Sequence, residues 1–249
     1  MTKTRADQLL VESGLAASRT AAQRLIAAGR VSWSGGVISK PAFDLAPKTE
    51  LTVAIDPDDR FVSRGGLKLA GALAETGIEV RNKHCLDVGQ STGGFTDCLV
   101  QAGAAHVLGV DVGHGQLHRQ LFGHPRITAL EGINCRTLSQ GDLGAAFPAQ
   151  GFDLIVGDVS FISMTLILPQ LPALLADHGD MLLLIKPQFE VGPGNVGKNG
   201  IVRDPALYGE VEKKLFDFCQ NFRLTVKAWL NSPITGGDGN REFFIWLNK

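Results

Sequence analysis

From residue 84 onward, short apolar runs recur at regular intervals, separated by amphipathic stretches. The runs 84–89, 106–111, 126–130, 152–158, 181–186, 223–230 and 241–247 predict strands. Several are apolar without alternation, as in strands covered on both faces. Residues 93–102, 164–177 and 204–221 predict helices between them. Strand–helix alternation of this kind predicts an α/β domain around a mostly parallel sheet. The pattern before residue 60 is different. Residues 5–14 and 19–28 read as short helices, the first ending at Gly14, the second capped by Ser18 and closed by Gly29. Two β-prone runs, Val31–Ser34 and Val37–Lys40, flank Gly35-Gly36, a hairpin signal because tight turns need positive φ. A third run covers Leu51–Ile55. The chain therefore reads as a small α+β domain (1–58), a linker (59–66) and an α/β domain (67–249).

The first strand of the α/β domain opens into LDVGQSTGGF, residues 86–95. An apolar strand ends in Asp87, a glycine turn follows, and a helix starts at Gly93-Gly94. Doubly wound domains build a cofactor cradle in this way. A dinucleotide fingerprint needs glycine at the middle position, where backbone approaches a pyrophosphate; here the three positions are Gly89, Ser91 and Gly94. A cofactor without a pyrophosphate fits better, and S-adenosylmethionine (SAM) meets that condition. Its carboxylate would lie against amides at the helix start, with Thr92 and Phe95 beside it. Asp111 ends the second strand and can accept from both ribose hydroxyls of an adenosine cofactor. Asn134, after the third strand, is either an adenine-reading group or a turn residue.

Composition narrows the class. The chain has 249 residues, 44% of them hydrophobic, and a formal charge of −1, so any nucleic-acid site must be a local patch. Such a patch exists: up to residue 48 seven Lys/Arg face three acids, a local +4. Cys85, Cys98, Cys135 and Cys219 lack CxxC spacing and read as buried thiols in a reducing compartment. The polar start MTKTRADQ carries no secretion signal, and no apolar run reaches the ~20 residues of a membrane span. These features predict a cytoplasmic protein without stable membrane association. The histidines show no metal-ligand spacing; His114 and His118 stand four apart without a third partner.

Four further residues stand at strand ends or helix starts. Lys68 lies in SRGGLKLAGAL, Asp158 in FDLIVGDVS, Lys186 in MLLLIKP and Glu242 in GNREFFIW. Lysine is seldom buried unpaired, and the carboxyl ends of parallel strands line the ligand crevice. Each residue singly could be a structural ion pair; together they point to a reactive site.

In order and context, Lys68, Asp158, Lys186 and Glu242 resemble the Lys-Asp-Lys-Glu tetrad of FtsJ-type ribose 2′-O-methyltransferases. Beyond the tetrad, VSRGGLKL (62–69), LDVGQSTGGFTDCL (86–99), VDVGHGQL (110–117), GDVSFIS (157–163), IKPQFEVG (185–192), GKNGIVRD (197–204) and SPITGGDGNREFF (232–244) are similar to the TlyA, or hemolysin A-like, rRNA methyltransferases. Gln90 departs from that pattern, which usually has a small residue there. The N-terminal segment resembles the S-four RNA-binding domain through Arg5-Ala-Asp7, Ser18-Arg19, Leu25-Ile26, Gly29-Arg30-Val31, Gly35 and Lys40-Pro41.

The resemblance implies a Rossmann-like SAM-dependent methyltransferase domain behind an RNA-binding domain. It implies methyl transfer to a ribose 2′-hydroxyl of ribosomal RNA, free or within ribosomal subunits. Lys186 would lie nearest the hydroxyl, Asp158 would orient it, and Lys68 and Glu242 would complete the network. Arg5, Arg19, Arg24, Arg30 and Lys40 would contact phosphate. The loop 187–205 would fold over RNA or cofactor, with Lys198 and Arg203 on phosphate. Two other readings stay open: a membrane-active protein, after the hemolysin label, and a catalytically silent assembly factor. The sequence carries no signal for oligomeric state.

Overall fold

The computed structural model describes residues 3–16, 18–54, 60–197 and 200–249. The chain divides into two compact units, 1–59 and 60–249.

The first unit runs β1 (Thr4–Arg5), α1 (Ala6–Glu12), α2 (Arg19–Ala27), β2 (Val31–Trp33), β3 (Gly36–Val37), β4 (Asp44–Leu45) and β5 (Thr52–Val53). Ala6, Leu9 and Leu10 recur at i, i+3 and i+4, so α1 buries one face; Ala22 and Ile26 do the same for α2. The Ser18 hydroxyl caps α2 by accepting from the Ala21 amide at 3.2 Å. In the hairpin Trp33 pairs with Gly36, so the turn residues are Ser34-Gly35, one position earlier than Gly35-Gly36. The Trp33 ring lies over Gly35, where a Cβ would sit 2.4 Å from it, so this turn position takes only glycine. A second pairing, β1 with β4, was not signalled by the pattern, because two-residue strands carry no period.

The second unit contains α3 (Gly65–Thr76), β6 (His84–Val88), α4 (Gly94–Gln101), β7 (His106–Asp111), β8 (Ile127–Glu131), α5 (Gln140–Leu143), β9 (Phe152–Gly157), β10 (Leu175–Ile185), α6 (Ala206–Gln220), β11 (Thr225–Asn231) and β12 (Phe243–Asn248). Its seven strands lie in the order β11-β12-β10-β9-β6-β7-β8. All run parallel except β12, which is antiparallel to both neighbours. Alternate side chains feed opposite faces. Leu86, Val88, Met181, Leu183 and Ile185 join α6 residues Val211 and Leu215 in one core. Cys85, Leu154, Val156, Leu182 and Leu184 join Leu69, Leu73, Phe95 and Leu99 of α3 and α4 in the other. Burial on both faces explains why these strands read as continuous apolar runs.

Two expectations need correcting. Residues 164–177 do not form an α-helix. They make two 3₁₀ stretches, Met164–Leu166 and Leu168–Ala173, and β10 then starts at Leu175. Pro169 and Pro172 have no amide hydrogen to continue an α-helical ladder. Residues 60–66 are not a linker either. Phe61 is buried in the second unit's core, the Val62 amide donates to Asp97 Oδ2 at 2.8 Å, and α3 already begins at Gly65.

Candidate active site

The chain leaves β6 to build β7 and β8 on one side, then returns to build β9 on the other. The carboxyl ends of β6 and β9 therefore flank a topological switch point, where open α/β sheets bind ligands. Gly89 turns the chain here with φ +83°, and a Cβ on it would lie 2.9 Å from the Asp158 carbonyl oxygen. Gly94 opens α4 so close to α3 that a Cβ would sit 3.0 Å from the Gly66 amide nitrogen. Gly94 thus lets the starts of both helices meet at backbone distance, while Gly66 makes room for the Phe61 ring and Gly93 for Leu117 and Leu121.

Beside this turn lies a cleft of about 450 Å³, with Gly89, Ser91, Asp111, Asn134, Ile162 and Ile167 on its walls. The Asp111 carboxylate accepts from the Ser91 amide at 2.8 Å and the Gly113 amide at 2.7 Å. These bonds fix its plane and leave further lone pairs for a diol. Asn134 Oδ1 accepts from the Arg136 amide at 3.0 Å, so the turn role is real for its oxygen. A second cleft of about 210 Å³ continues from the first past Thr92, Gly94 and Phe95 to Lys68 and Lys186. Apolar walls around a ring-sized space, a fixed carboxylate at one end and a glycine-lined helix start at the other suit SAM. The Phe95 ring is mostly core, stacked on Phe244 at 6.1 Å.

Asp87 is not in the cradle. It is fully buried beneath it, with Oδ2 accepting from the Thr96 hydroxyl at 2.6 Å and Oδ1 without a partner among the described residues. Gln90 Nε2 donates to Thr96 Oγ1 at 2.8 Å, so the departure from the family pattern is absorbed in a buried chain Gln90–Thr96–Asp87. Burial pushes the Asp87 carboxyl up to about 7. Gly93 is likewise buried, capping α4 with φ +88°.

The four charged residues converge. Ile185 pairs with Phe243 across antiparallel strands, so Lys186 and Glu242, the next residue of one strand and the previous of the other, come together at the crevice. Parallel pairing of β9 with β10 brings Asp158 to the same edge. Lys186 Nζ lies 2.6 Å from Asp158 Oδ1. Lys68, on α3, lies 2.5 Å from Glu242 Oε2. Neither contact is aligned as a hydrogen bond, so both hold by charge and proximity. Burial raises the Glu242 pKa, and Lys68 opposes the rise. Beyond the two lysines a third cleft, about 500 Å³, opens between Ser160, Phe161, Phe189, Asp238 and Glu242. The lysines thus stand between two spaces, one fit for a cofactor and one for a substrate.

Sequence reasoning left several neighbours without a role. The Ser160 hydroxyl accepts from Lys186 Nζ at 2.6 Å. Buried Glu190 accepts from the Ser163 hydroxyl and the Met164 amide, both at 2.6 Å, and from Lys214 Nζ at 2.9 Å. It ties the loop after β9 to the loop after β10. Buried Asn240 accepts from the Val202 amide and donates to the Gly200 carbonyl, both at 2.9 Å. The loop 187–205 is thereby anchored at two points. Arg203 is exposed on it, while Lys198 lies outside the described residues. Ser160 and Glu190 both fall inside family-like segments, but only contacts across strands reveal what they do.

In the first unit, Arg5 and Arg19 meet on one carboxylate. Buried Asp7 accepts from Arg5 Nε, Arg19 Nη2 and Gln23 Nε2, each at 3.0 Å. The Arg5 contact, above all, holds Asp7 well below the usual carboxylate range. Arg24 and Lys40 are exposed, and Arg30 donates to the Ala54 carbonyl at 2.8 Å. All four cysteines are free and buried, and burial pushes the Cys135 thiol, on the wall of the larger cofactor cleft, up to about 11. A thiol so raised is a poor nucleophile.

Known proteins agree with this geometry. Residues 61–249 match the FtsJ-like methyltransferase family and residues 4–51 the S4 domain. The chain is 43% identical over 248 residues to the 16S/23S rRNA (cytidine-2′-O)-methyltransferase TlyA of Mycobacterium tuberculosis, covering 98% of this chain and 90% of that one. It is 37% identical over 239 residues to Hemolysin A of Brachyspira hyodysenteriae, covering 96% and 97%. Among solved structures, a candidate hemolysin of Streptococcus thermophilus matches with a TM-score of 0.76 and 40% identity, covering all of this chain and 89% of that one. Among the described residues no helix is long and apolar enough to cross a membrane. With a SAM-shaped crevice, two lysine–carboxylate pairs and full-length relatives in agreement, the chain belongs to the TlyA family of rRNA 2′-O-methyltransferases, an FtsJ-like SAM-dependent domain behind an S4 domain.

Proposed function

We propose that this protein methylates the ribose 2′-hydroxyl of a cytidine in ribosomal RNA, with Lys68, Asp158, Lys186 and Glu242 as its catalytic residues. The observation that carries this reading is the position of the two ion pairs, between the cofactor cleft and the open cleft beyond it. The cytidine target comes from the mycobacterial relative's activity.

Asp111 would hold the ribose of SAM, Asn134 would face its adenine, and amides of the Gly89–Gly94 turn would face its amino-acid end. SAM supplies a methyl group already activated on a sulfonium. The chain's own task is therefore to position the ribose hydroxyl and remove its proton. Lys186 is the group we assign to this: its nitrogen borders both clefts, and it would accept the 2′-hydroxyl proton or, as the ammonium, steady the oxygen as that proton leaves. Asp158 orients that nitrogen. The Lys68–Glu242 pair fixes the far wall and adds no net charge. The positive N-terminal unit would supply sequence-independent affinity for phosphate. Arg203 would add a contact from the loop beside the substrate cleft, and Lys198 is assigned the same role from the sequence alone. On this reading the protein would work in the cytoplasm, on ribosomal RNA free or within ribosomal subunits, and not on membranes.

The test is incubation with methyl-labelled SAM and purified ribosomal subunits, followed by mapping of the label. Label on a cytidine 2′-oxygen, lost in Lys186→Ala with SAM affinity retained, supports the reading. Label on a base, no label at all, or undiminished turnover of Lys186→Ala rejects it; absence of label with tight RNA binding would mark an assembly factor.

A further inference from the structure

Lysine has a freely rotating terminal nitrogen, and one carboxylate contact does not fix its direction. Among the described residues the Lys186 side chain has two close polar partners. Its Nζ is 2.6 Å from Asp158 Oδ1 and donates to Ser160 Oγ at 2.6 Å. Asp158 and Ser160 are two apart, a spacing that in extended chain puts both side chains on the same side. Of the two, only the Ser160 contact is aligned as a hydrogen bond, so it is Ser160 that fixes a direction at the nitrogen, while the carboxylate acts by charge and proximity.

Ser160 also occupies a distinctive place. It borders the larger cofactor cleft, the smaller cleft leading to the lysines, and the open cleft beyond them. Its side chain is exposed to these spaces, with no packing role in either core.

We propose that Ser160 is a positioning residue for methyl transfer: its hydroxyl, accepting from Lys186 Nζ beside Asp158, sets the rotation of that nitrogen so that it faces the 2′-hydroxyl. The proposal rests on the assignment of Lys186 as the group that meets the 2′-hydroxyl. A serine hydroxyl is neutral, so it orients the nitrogen without changing the charge of the site. Asp158 alone leaves the nitrogen free to swing about the Cδ–Cε bond, and misplacement of about 1 Å at a reacting group costs up to about 100-fold in rate.

The experiment compares wild type, Ser160→Ala, Ser160→Thr and Lys186→Ala in steady-state methylation of ribosomal subunits, with SAM affinity measured by calorimetry. The proposal expects kcat of Ser160→Ala to fall about 10-fold, with KM for RNA and SAM affinity within about twofold. Ser160→Thr, which keeps the hydroxyl at an exposed site, should restore most of kcat. Wild-type kcat in Ser160→Ala beside an inactive Lys186→Ala overturns the role of Ser160 alone. A change confined to KM, or failure of Ser160→Thr to restore rate, overturns it as well. An active Lys186→Ala overturns both the role of Ser160 and the reading beneath it.

Discussion

Lys68 on the first helix of the catalytic unit and Glu242 at the head of its last strand form a buried ion pair, 2.5 Å from nitrogen to oxygen, with side chains 10% and 3% exposed. The pair joins the two ends of the fold at the crevice. Glu242→Ala would leave the Lys68 ammonium buried without a partner, which costs about 3 kcal/mol or more. Lys68→Met combined with Glu242→Leu should recover most of that stability, since desolvation of both charges is removed. Methylation should stay abolished in the double variant. Urea unfolding and an activity assay on the same preparations check both halves, and a double variant with normal turnover would remove the pair from catalysis.

Asp87 predicts a pH signature. Its carboxyl is raised from 3.8 to about 7, chiefly by burial. Between about pH 4 and pH 7 the folded state keeps a proton that the unfolded chain has released, so stability falls as pH rises across that window. Asp87→Asn retains the acceptor for Thr96 and has nothing to titrate. Melting temperatures of the two proteins should agree near pH 4 and diverge in favour of the variant by at least about 2 °C at pH 7.5. Parallel curves would show that Asp87 is ionised in the fold without penalty.

Asp7 predicts the opposite slope. Arg5, Gln23 and Arg19 hold its carboxyl well below the usual range, so its contribution is present above about pH 4 and is lost as pH falls further. Both arginines are about half exposed, which screens the pair and limits the loss in Asp7→Asn to about 2 kcal/mol. The same substitution should free Arg5 and Arg19 from their shared anchor and weaken RNA binding. Titration of labelled rRNA fragments at two salt concentrations would measure it, with unchanged affinity counting against a phosphate role for these arginines.

Gly89 sits at φ +83° against the Asp158 carbonyl. Alanine there is strained in backbone and meets an oxygen at 2.9 Å, at a cost of about 1–3 kcal/mol. Because relief must move the turn or Asp158, SAM affinity should fall about 10-fold or more. Calorimetric titration with SAM is the direct measure, and wild-type affinity would place the cofactor away from this turn.

Much of this protein is local and was legible without coordinates. The Ser18 cap, the seven strands, the glycine turn and the four charged residues each announce themselves by composition or spacing, because caps, turns and buried strands depend on near neighbours. Where local signals conflicted, tertiary structure decided. Residues 164–177 are apolar enough for a helix, yet two prolines break the ladder and the following residues pair as strand. The 60–66 stretch is polar enough for a linker, yet Phe61 draws it into the core.

The sequence alone determined the class of fold, and it singled out the glycine turn and the four charged residues that the fold brings to one crevice. It did not determine who pairs with whom. Lys186 with Asp158 and Ser160, Lys68 with Glu242, and Asp7 with Arg19 are contacts between segments apart in the chain or on neighbouring strands. Asp87, read from its strand end as a cofactor ligand, belongs to the floor beneath the cradle because the turn above it closes on Thr96 and Gln90. Which side of a turn a carboxylate faces depends on packing that no local pattern encodes, and only the assembled sheet set it.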